Sequence, residues 1–364
     1  MATPVLARFV ATPPRFEIAQ DRALAWLAAA HARGERDELE RARLAARIGA
    51  VIRHVACSPD QIARRGHSIE DLDAPGGPRL VDAGTAARTR AFQEVVDAYF
   101  ARAYEGERVP PDELVHVTCT GYASPSGAQK IVAARRWATR VTHAYHMGCY
   151  AAVPALRIAA GSLATGARRV DIAHTELCSL HVDPRDHAPG QLVVQSLFGD
   201  GLVRYTLVPE RAAGVEPGLR VLALHERVVP DSGDAMTWIA GDRGMQMTLA
   251  RDVPELVARE VRGFTLELFG RAGGSVAAAK HAVFAIHPGG PKIVERVREM
   301  LELDPAQVAT SHAVLHDHGN MSSATLPYIW TRMIADGRIP RGALVASLSF
   351  GPGLTICGAL LEKR

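Results

Sequence analysis

The amino-acid sequence predicts an α/β fold built from two repeated halves, on three observations. From Leu114 onward, β-rich runs (LVHVTCTG, RVTHAYHMGC, RRVDIAHTE and LVVQSLFGDGLVRYTLV) alternate with Ala-rich helical runs, the pattern of layered α/β chains. A second such series begins after Gly218. The third observation is an internal repeat: Phe198-Gly199-Asp200-Gly201-Leu202 returns 152 residues later as Phe350-Gly351-Pro352-Gly353-Leu354. Each copy reads as lying inside an apolar strand pair, where glycine suits a tight turn. The predicted halves are residues 1–210 and 211–364, and each carries a potentially reactive residue just after a strand, Cys149 in the first and His287 in the second.

Ahead of the strand series, residues 19–53 are rich in Ala, Leu and Arg at helical spacing, and after the breaker APGGPRL the segment to about residue 106 reads the same way. The N-terminus, MATPVLARFVATPPRFEIAQ, lacks the apolar core of a signal peptide, and no stretch reaches the roughly 18–20 apolar residues of a membrane span. Hydrophobic residues make up 48% and charged residues 22%, which argues against long disorder and needs no membrane. Because 42 Lys and Arg face 39 Asp and Glu, the net charge is only +3 and gives no case for a nucleic-acid partner. Five scattered cysteines (57, 119, 149, 178 and 357) form neither a disulfide framework nor a C-x-x-C metal pair, which fits a reducing cytoplasm.

Cys149 sits between a strand-like run and the helical AAVPALRIAAGSL, at a predicted helix N-terminus where the helix dipole favours thiolate. A small buried hydrophobe is the plainer reading of an isolated cysteine. His287 opens the run H-P-G-G-P before the helical KIVERVREMLEL, so a rigid glycine-lined turn would present it closely to a substrate. Asn320, in GNMSS before another helical stretch, reads as a helix N-cap or a site residue. His312, His316 and His318 give H-x3-H-x-H beside Asp317, a spacing that admits a metallohydrolase.

Taken together, ATPP and Gln20, CTG at 119–121, GC at 148–149, LFGDG at 197–201, HPGGP at 287–291, GNMSS at 319–323 and FGPGL at 350–354 follow one order and spacing. In this the chain resembles the chalcone-synthase-like type III polyketide synthases of the thiolase superfamily. The resemblance implies the duplicated five-layered αβαβα thiolase fold. It implies an acyltransferase that condenses acyl thioesters through Cys149 as nucleophile, with His287 and Asn320 donating to the thioester oxygen of the extender. Phe198 would be the gatekeeper between tunnel and cavity, and Gly351, Pro352 and Gly353 would shape the cavity wall. Trp238 stands where a small residue is common and Met247 where an aromatic is common, so both would reshape the cavity, together with the bulky Tyr150. VLHDHGNMSS would be the family's strand leading to Asn320, which weighs against the metal reading, and retention of all three residues weighs against a non-catalytic scaffold.

The same resemblance implies no metal and no organic cofactor, with coenzyme A or phosphopantetheine thioesters as substrates. Arg43 and Arg47 would meet coenzyme A phosphates, or an acidic acyl carrier protein. A homodimer is expected. The HAYHMGCYA context is most similar to stand-alone ketosynthases that join two β-ketoacyl chains into an α-pyrone, as in the myxopyronin and corallopyronin pathways. Joining two carrier-bound chains is therefore the alternative to iterative malonyl-CoA extension.

Overall fold

Residues 3–67, 82–214, 216–274 and 276–364 are described by a computed structural model; the breaker APGGPRL falls outside them. The first element, β1 (Pro4–Thr12), lies in the middle of the sheet, although no strand is legible there in the sequence. Val5, Leu6 and Ala7 are buried, and a bulge after Ala7 sets Arg8 at φ +54°. The bulge breaks the period-two pattern by which strands are read. After β2 (Phe16–Ala19) come the two expected helices, α1 (Gln20–Ala32) and α2 (Glu38–Val55). Residues 56–67, between the two segments read as helical, hold no helix. There β3 (Arg64–His67) pairs antiparallel with β2, and the helical texture resumes in α3 (Thr85–Ala103).

The strand series then follows as β4 (Glu113–Thr118), α4 (Gly127–Ala134), β5 (Arg140–Tyr145), α5 (Ala152–Ala164) and β6 (Val170–Glu176). The run QLVVQSL is helix α6 (Pro189–Leu197) and not strand: Pro189 opens it, and Leu192, Gln195, Ser196 and Leu197 bury one face. After β7 (Gly201–Pro209) and the short α7 (Glu210–Ala213), β8 (Leu219–Val228) starts the second series. It continues through the hairpin β9 (Met236–Gly241) and β10 (Gly244–Leu249), α8 (Val253–Arg271), α9 (Val276–Ala279), β11 (Val283–Ile286) and α10 (Pro291–Met300). The chain ends with α11 (Pro305–His318), α12 (Thr325–Ala335), β12 (Leu344–Gly351) and β13 (Thr355–Lys363). VLHDHG, expected as strand, is the last turn of α11 with Gly319 at φ +69° ending it.

The strands form one ladder in the order β11-β12-β13-β8-β1-β7-β6-β4-β5. Reading outward from β1, the neighbours β7, β6 and β4 are joined antiparallel, antiparallel, parallel. Reading outward from β8, the neighbours β13, β12 and β11 repeat that sequence of senses. The two series meet where Val5 and Leu6 pair with Arg220 and Leu219. Gly218 permits that seam, since a Cβ there would lie 2.2 Å from the Leu6 carbonyl oxygen.

Three apolar clusters set the layers. Helices α5 and α12 share a core with strands of both series, including Leu156, Trp330, Val203 and Val345. On one outer side α8 and α10 pack on β11, β12 and β13, and on the other α3 and α4 pack on β4. This is the αβαβα layering of the thiolase fold. Trp330 is fully buried with its indole N–H donating to Ser347 Oγ at 2.8 Å, so the central layer carries a satisfied polar atom.

Candidate active site

Carboxyl ends of the parallel strands gather the site residues, as open α/β sheets generally arrange. β4 ends just before Cys119, β5 before the turn of Cys149, β6 at Glu176 and β11 just before His287. Beyond β5, Gly148 takes φ +78°, and a Cβ on it would lie 2.9 Å from Pro352 Cδ. A 3-10 turn (Gly148–Tyr150) then delivers Cys149 to the start of α5. Its thiol is buried, 3.8 Å from Ser322 Oγ.

Burial dominates that thiol and pushes it up to about 12, against hydrogen bonds from Ser322 and Asn320 that favour the thiolate; the nearby Glu176 charge adds to the rise. The dipole-stabilised thiolate expected from the sequence is therefore outweighed by desolvation. His287 is also buried; its backbone N–H donates to Leu348 O at 2.7 Å, and neither ring nitrogen has a partner among the described residues. Desolvation lowers the imidazole to about 3.

Asn320 is fixed on both sides of its backbone, donating to Leu197 O at 3.0 Å and accepting from Gly199 N–H at 2.9 Å. Those bonds couple it to Phe198 as an isolated bridge. Its Oδ1 accepts the Ser322 N–H at 2.8 Å, an Asx-type turn ahead of the 3-10 turn Ser322–Ala324 and not the helix N-cap read from sequence, since Met321 and Ala324 hold the cap positions. Gly199 and Gly201 serve close approach and not positive φ: a Cβ would lie 2.7 Å from His318 O and from Met321 Cβ respectively.

Behind these residues lies a network the sequence did not disclose. Ser322 Oγ is 3.1 Å from Cys119 Sγ, and the buried Glu176 accepts from Cys119 N–H at 3.1 Å, from Thr120 Oγ1 at 3.0 Å and from Ser323 Oγ. Burial raises the Glu176 carboxyl. The only signal was the serine pair after Asn320, which also reads as helix capping.

Cys149 opens on a cavity of about 1220 Å³, counted out to solvent. Phe198, Trp238, Met247 and Pro352 line it with Cys119, Cys178 and Ser322. Gly351 and Gly353 do not: Gly351 faces Tyr150, and Gly353 makes the β12–β13 turn at φ +111°. Tyr150 is also off the wall, packed on the central core near Thr355. Arg43 and Arg47 sit on the exposed face of α2 away from the cavity lining, and Arg43 is paired with Glu40 at 2.6 Å. Two arginines stand on the wall, the buried Arg88 and the half-buried Arg65, which donates to Gln20 Oε1, Gln195 O and Phe198 O at 2.9, 3.0 and 2.7 Å.

The histidines of α11 diverge. His312 meets Glu295 at 2.8 Å, His316 meets Asp317 at 2.9 Å and His318 meets Arg332 at 3.2 Å. Among the described residues no three His, Cys, Asp or Glu side chains converge on a point that holds a metal.

Residues 221–363 match the family of chalcone and stilbene synthases, C-terminal domain. The chain is 26% identical over 307 residues to type III polyketide synthase C of Arabidopsis thaliana, covering 82% of this chain and 80% of that one. Residues 221–363 thus carry a chalcone and stilbene synthase C-terminal domain, and the chain is similar to type III polyketide synthases along most of its length. It is also 29% identical over 265 residues to the probable polyketide synthase 1 of Dictyostelium discoideum, covering 71% of this chain but spanning only 8% of that protein's length. The structure superposes on the C-terminal type III polyketide synthase domain of "Steely1", a type I/III hybrid from Dictyostelium, with TM-score 0.84, 24% identity and 99% of each chain covered. That likeness establishes the family's fold.

Proposed function

We propose that the protein is an acyltransferase that makes carbon–carbon bonds by Claisen condensation of acyl thioesters, with Cys149 as nucleophile. The observation that carries this reading is a buried thiol at a cavity wall, donating to Ser322 Oγ and within reach of Asn320, with the family's HPGGP histidine buried and, among the described residues, unbonded at both ring nitrogens. In the first half-reaction Cys149 Sγ attacks the starter thioester carbonyl. Its proton passes to His287 and then to the departing coenzyme A or phosphopantetheine sulfur. In the second, the extender loses carbon dioxide, and the electron pair of the broken C–C bond becomes an enolate whose oxygen accepts from His287 and Asn320. The enolate carbon attacks the acyl group on Cys149, and the thiolate leaves.

No metal or organic cofactor enters these steps, because the thioester itself acidifies the α-carbon. Trp238, Met247 and Phe198 on the wall support a restricted cavity that releases a small α-pyrone after one or two condensations, or joins two β-ketoacyl chains. Coenzyme A and carrier-protein thioesters are both candidate donors. A cytoplasmic homodimer completes the proposal: the five cysteines are free, and β5 is an edge strand with an unpaired side.

Intact-protein mass spectrometry after incubation with panels of acyl-CoA and acyl-carrier thioesters tests the reading. One acyl mass is expected on the wild type and none on Cys149→Ala. A mutant that still gains acyl mass would sink the assignment.

A further inference from the structure

The β9–β10 hairpin carries Trp238, Met245 and Met247 to the cavity wall, and two neighbouring carbonyls beyond β4 hold it there. The Trp238 indole N–H donates to Cys119 O at 2.6 Å. His181 donates from Nε2 to Thr120 O at 2.8 Å, and its Nδ1 accepts the Met245 N–H at 2.9 Å. Those two bonds require one neutral tautomer, with the proton on Nε2. The Trp238 ring stands edge-on to the His181 ring, with centroids 5.4 Å apart at 90°.

His181 is itself held. Arg88 of α3 donates to the carbonyls on either side, Leu180 O and Val182 O. The hairpin tip is free of bulk where it meets the ring: Gly244 lies at φ +112°, and a Cβ on it would fall 2.9 Å from His181 Nδ1. Among the described residues no carboxylate hydrogen-bonds this ring, so its contacts are those of a strut and not of a general base.

We infer that His181, by tying the β9–β10 hairpin to the Cys119–Thr120 backbone, sets the length of acyl chain the cavity accepts. It is a positioning residue: it acts through Trp238 and the hairpin, on a wall that faces the same cavity as Cys149. The inference rests on the acyl-transfer reading above. Glutamine carries one donor and one acceptor and can replace both bonds, whereas alanine replaces neither.

The test measures the rate of Cys149 acylation by saturated acyl-CoA thioesters from acetyl to dodecanoyl, in wild type, His181→Gln, His181→Ala and Gly244→Ala. His181→Ala and Gly244→Ala are expected to raise the rate for long chains relative to short by about tenfold, the scale of losing one or two hydrogen bonds. His181→Gln should keep the wild-type profile. An unchanged profile in His181→Ala, or a glutamine variant that behaves as alanine does, overturns the inference. Absence of acylation in every protein, wild type included, overturns the acyl-transfer reading instead. Amide exchange at Met245 then decides the strut alone: protection lost in His181→Ala and kept in His181→Gln upholds it, and protection unchanged in His181→Ala refutes it.

Discussion

Gly351→Ala is the sharpest probe of how the nucleophile turn is held. A Cβ at Gly351 would lie 2.5 Å from Tyr150 Cδ1 and 3.2 Å from its Cε1, well inside contact distance. The Gly351 backbone is not in the left-handed region, so the obstruction is steric alone. Overpacking of this kind costs about 1–3 kcal/mol. Tyr150 adjoins Cys149 in the same 3-10 turn, so displacing its ring moves the thiol as well, and a misplacement of about 1 Å slows a positioned reaction about 10²-fold. The assay is a double-mutant cycle on urea unfolding, with acyl-enzyme formation followed in parallel. In a Tyr150→Ala background Gly351→Ala should cost about 0.5 kcal/mol or less, giving a coupling of about 1–3 kcal/mol. Additive costs with unchanged acylation would refute the argument. A change in product length from Tyr150→Ala alone would show that Tyr150 reaches the cavity after all.

Three further predictions concern the site and its surroundings. Asn320→Ala should slow condensation by about 10²-fold or more while sparing acylation in comparison; equal loss in both half-reactions would mark Asn320 as a holder of the Ser322 turn only. Stability should fall as pH drops from about 6.5 toward 3, because burial lowers His116, His174 and His287 to about 3 and the folded state binds fewer protons than the unfolded chain across that window. Urea midpoints measured from pH 8 to pH 5 check this, and His116→Gln should reduce the slope by about one proton; an unchanged slope would contradict the assignment. Trp238→Gly, with one acyl starter and excess malonyl-CoA, should yield longer products than wild type, and wild-type formation of large aromatic polyketides would remove the restricted-cavity idea.

What was legible in the sequence follows physical locality. The Cys149 and His287 turns are short segments whose glycines and prolines fix the backbone by themselves, and each follows a strand as its flanking residues predicted, whereas the GNMSS run follows a helix in place of the expected strand. Elements defined by distant partners were not legible. β1 is a central strand because β7 and β8 flank it, yet its bulge hides the alternation. QLVVQSL has β-branched residues that favour a strand, but Pro189 and one buried face make it helical. Arg43 and Arg47 were matched by approximate position along a helix, which does not specify which face meets the cavity. Arg65, in a strand of four residues, reached the wall through the β2–β3 pairing. His181 was not legible as a strut, since its two bonds run to residues 61 and 64 positions away.

Burial disfavours charge at the site before any thioester enters, and on the proposed reading this is what lets it discriminate the transition state. Burial drives Cys149 and Glu176 toward their protonated forms and His287 toward its neutral one. Charge then develops only during reaction, on the thioester and enolate oxygens, in surroundings where a hydrogen bond is worth more than in water. An unsatisfied buried donor costs about 1–3 kcal/mol, and His287 lacks a partner at both nitrogens in the protein alone. A ligand oxygen that accepts from His287 relieves that cost, and the relief grows as the oxygen gains negative charge. Asn320 differs, because its Oδ1 is already committed to Ser322 and its amide is thereby turned toward Cys149 before substrate arrives. His287 would thus contribute through a bond made only with substrate, and Asn320 through an orientation fixed beforehand. Replacing Asn320 with Asp keeps the Ser322 bond but removes the amide donor, so Asn320→Asp should fold as wild type and condense as slowly as Asn320→Ala. A condensing Asn320→Asp enzyme would show that the amide donor is not what the reaction needs.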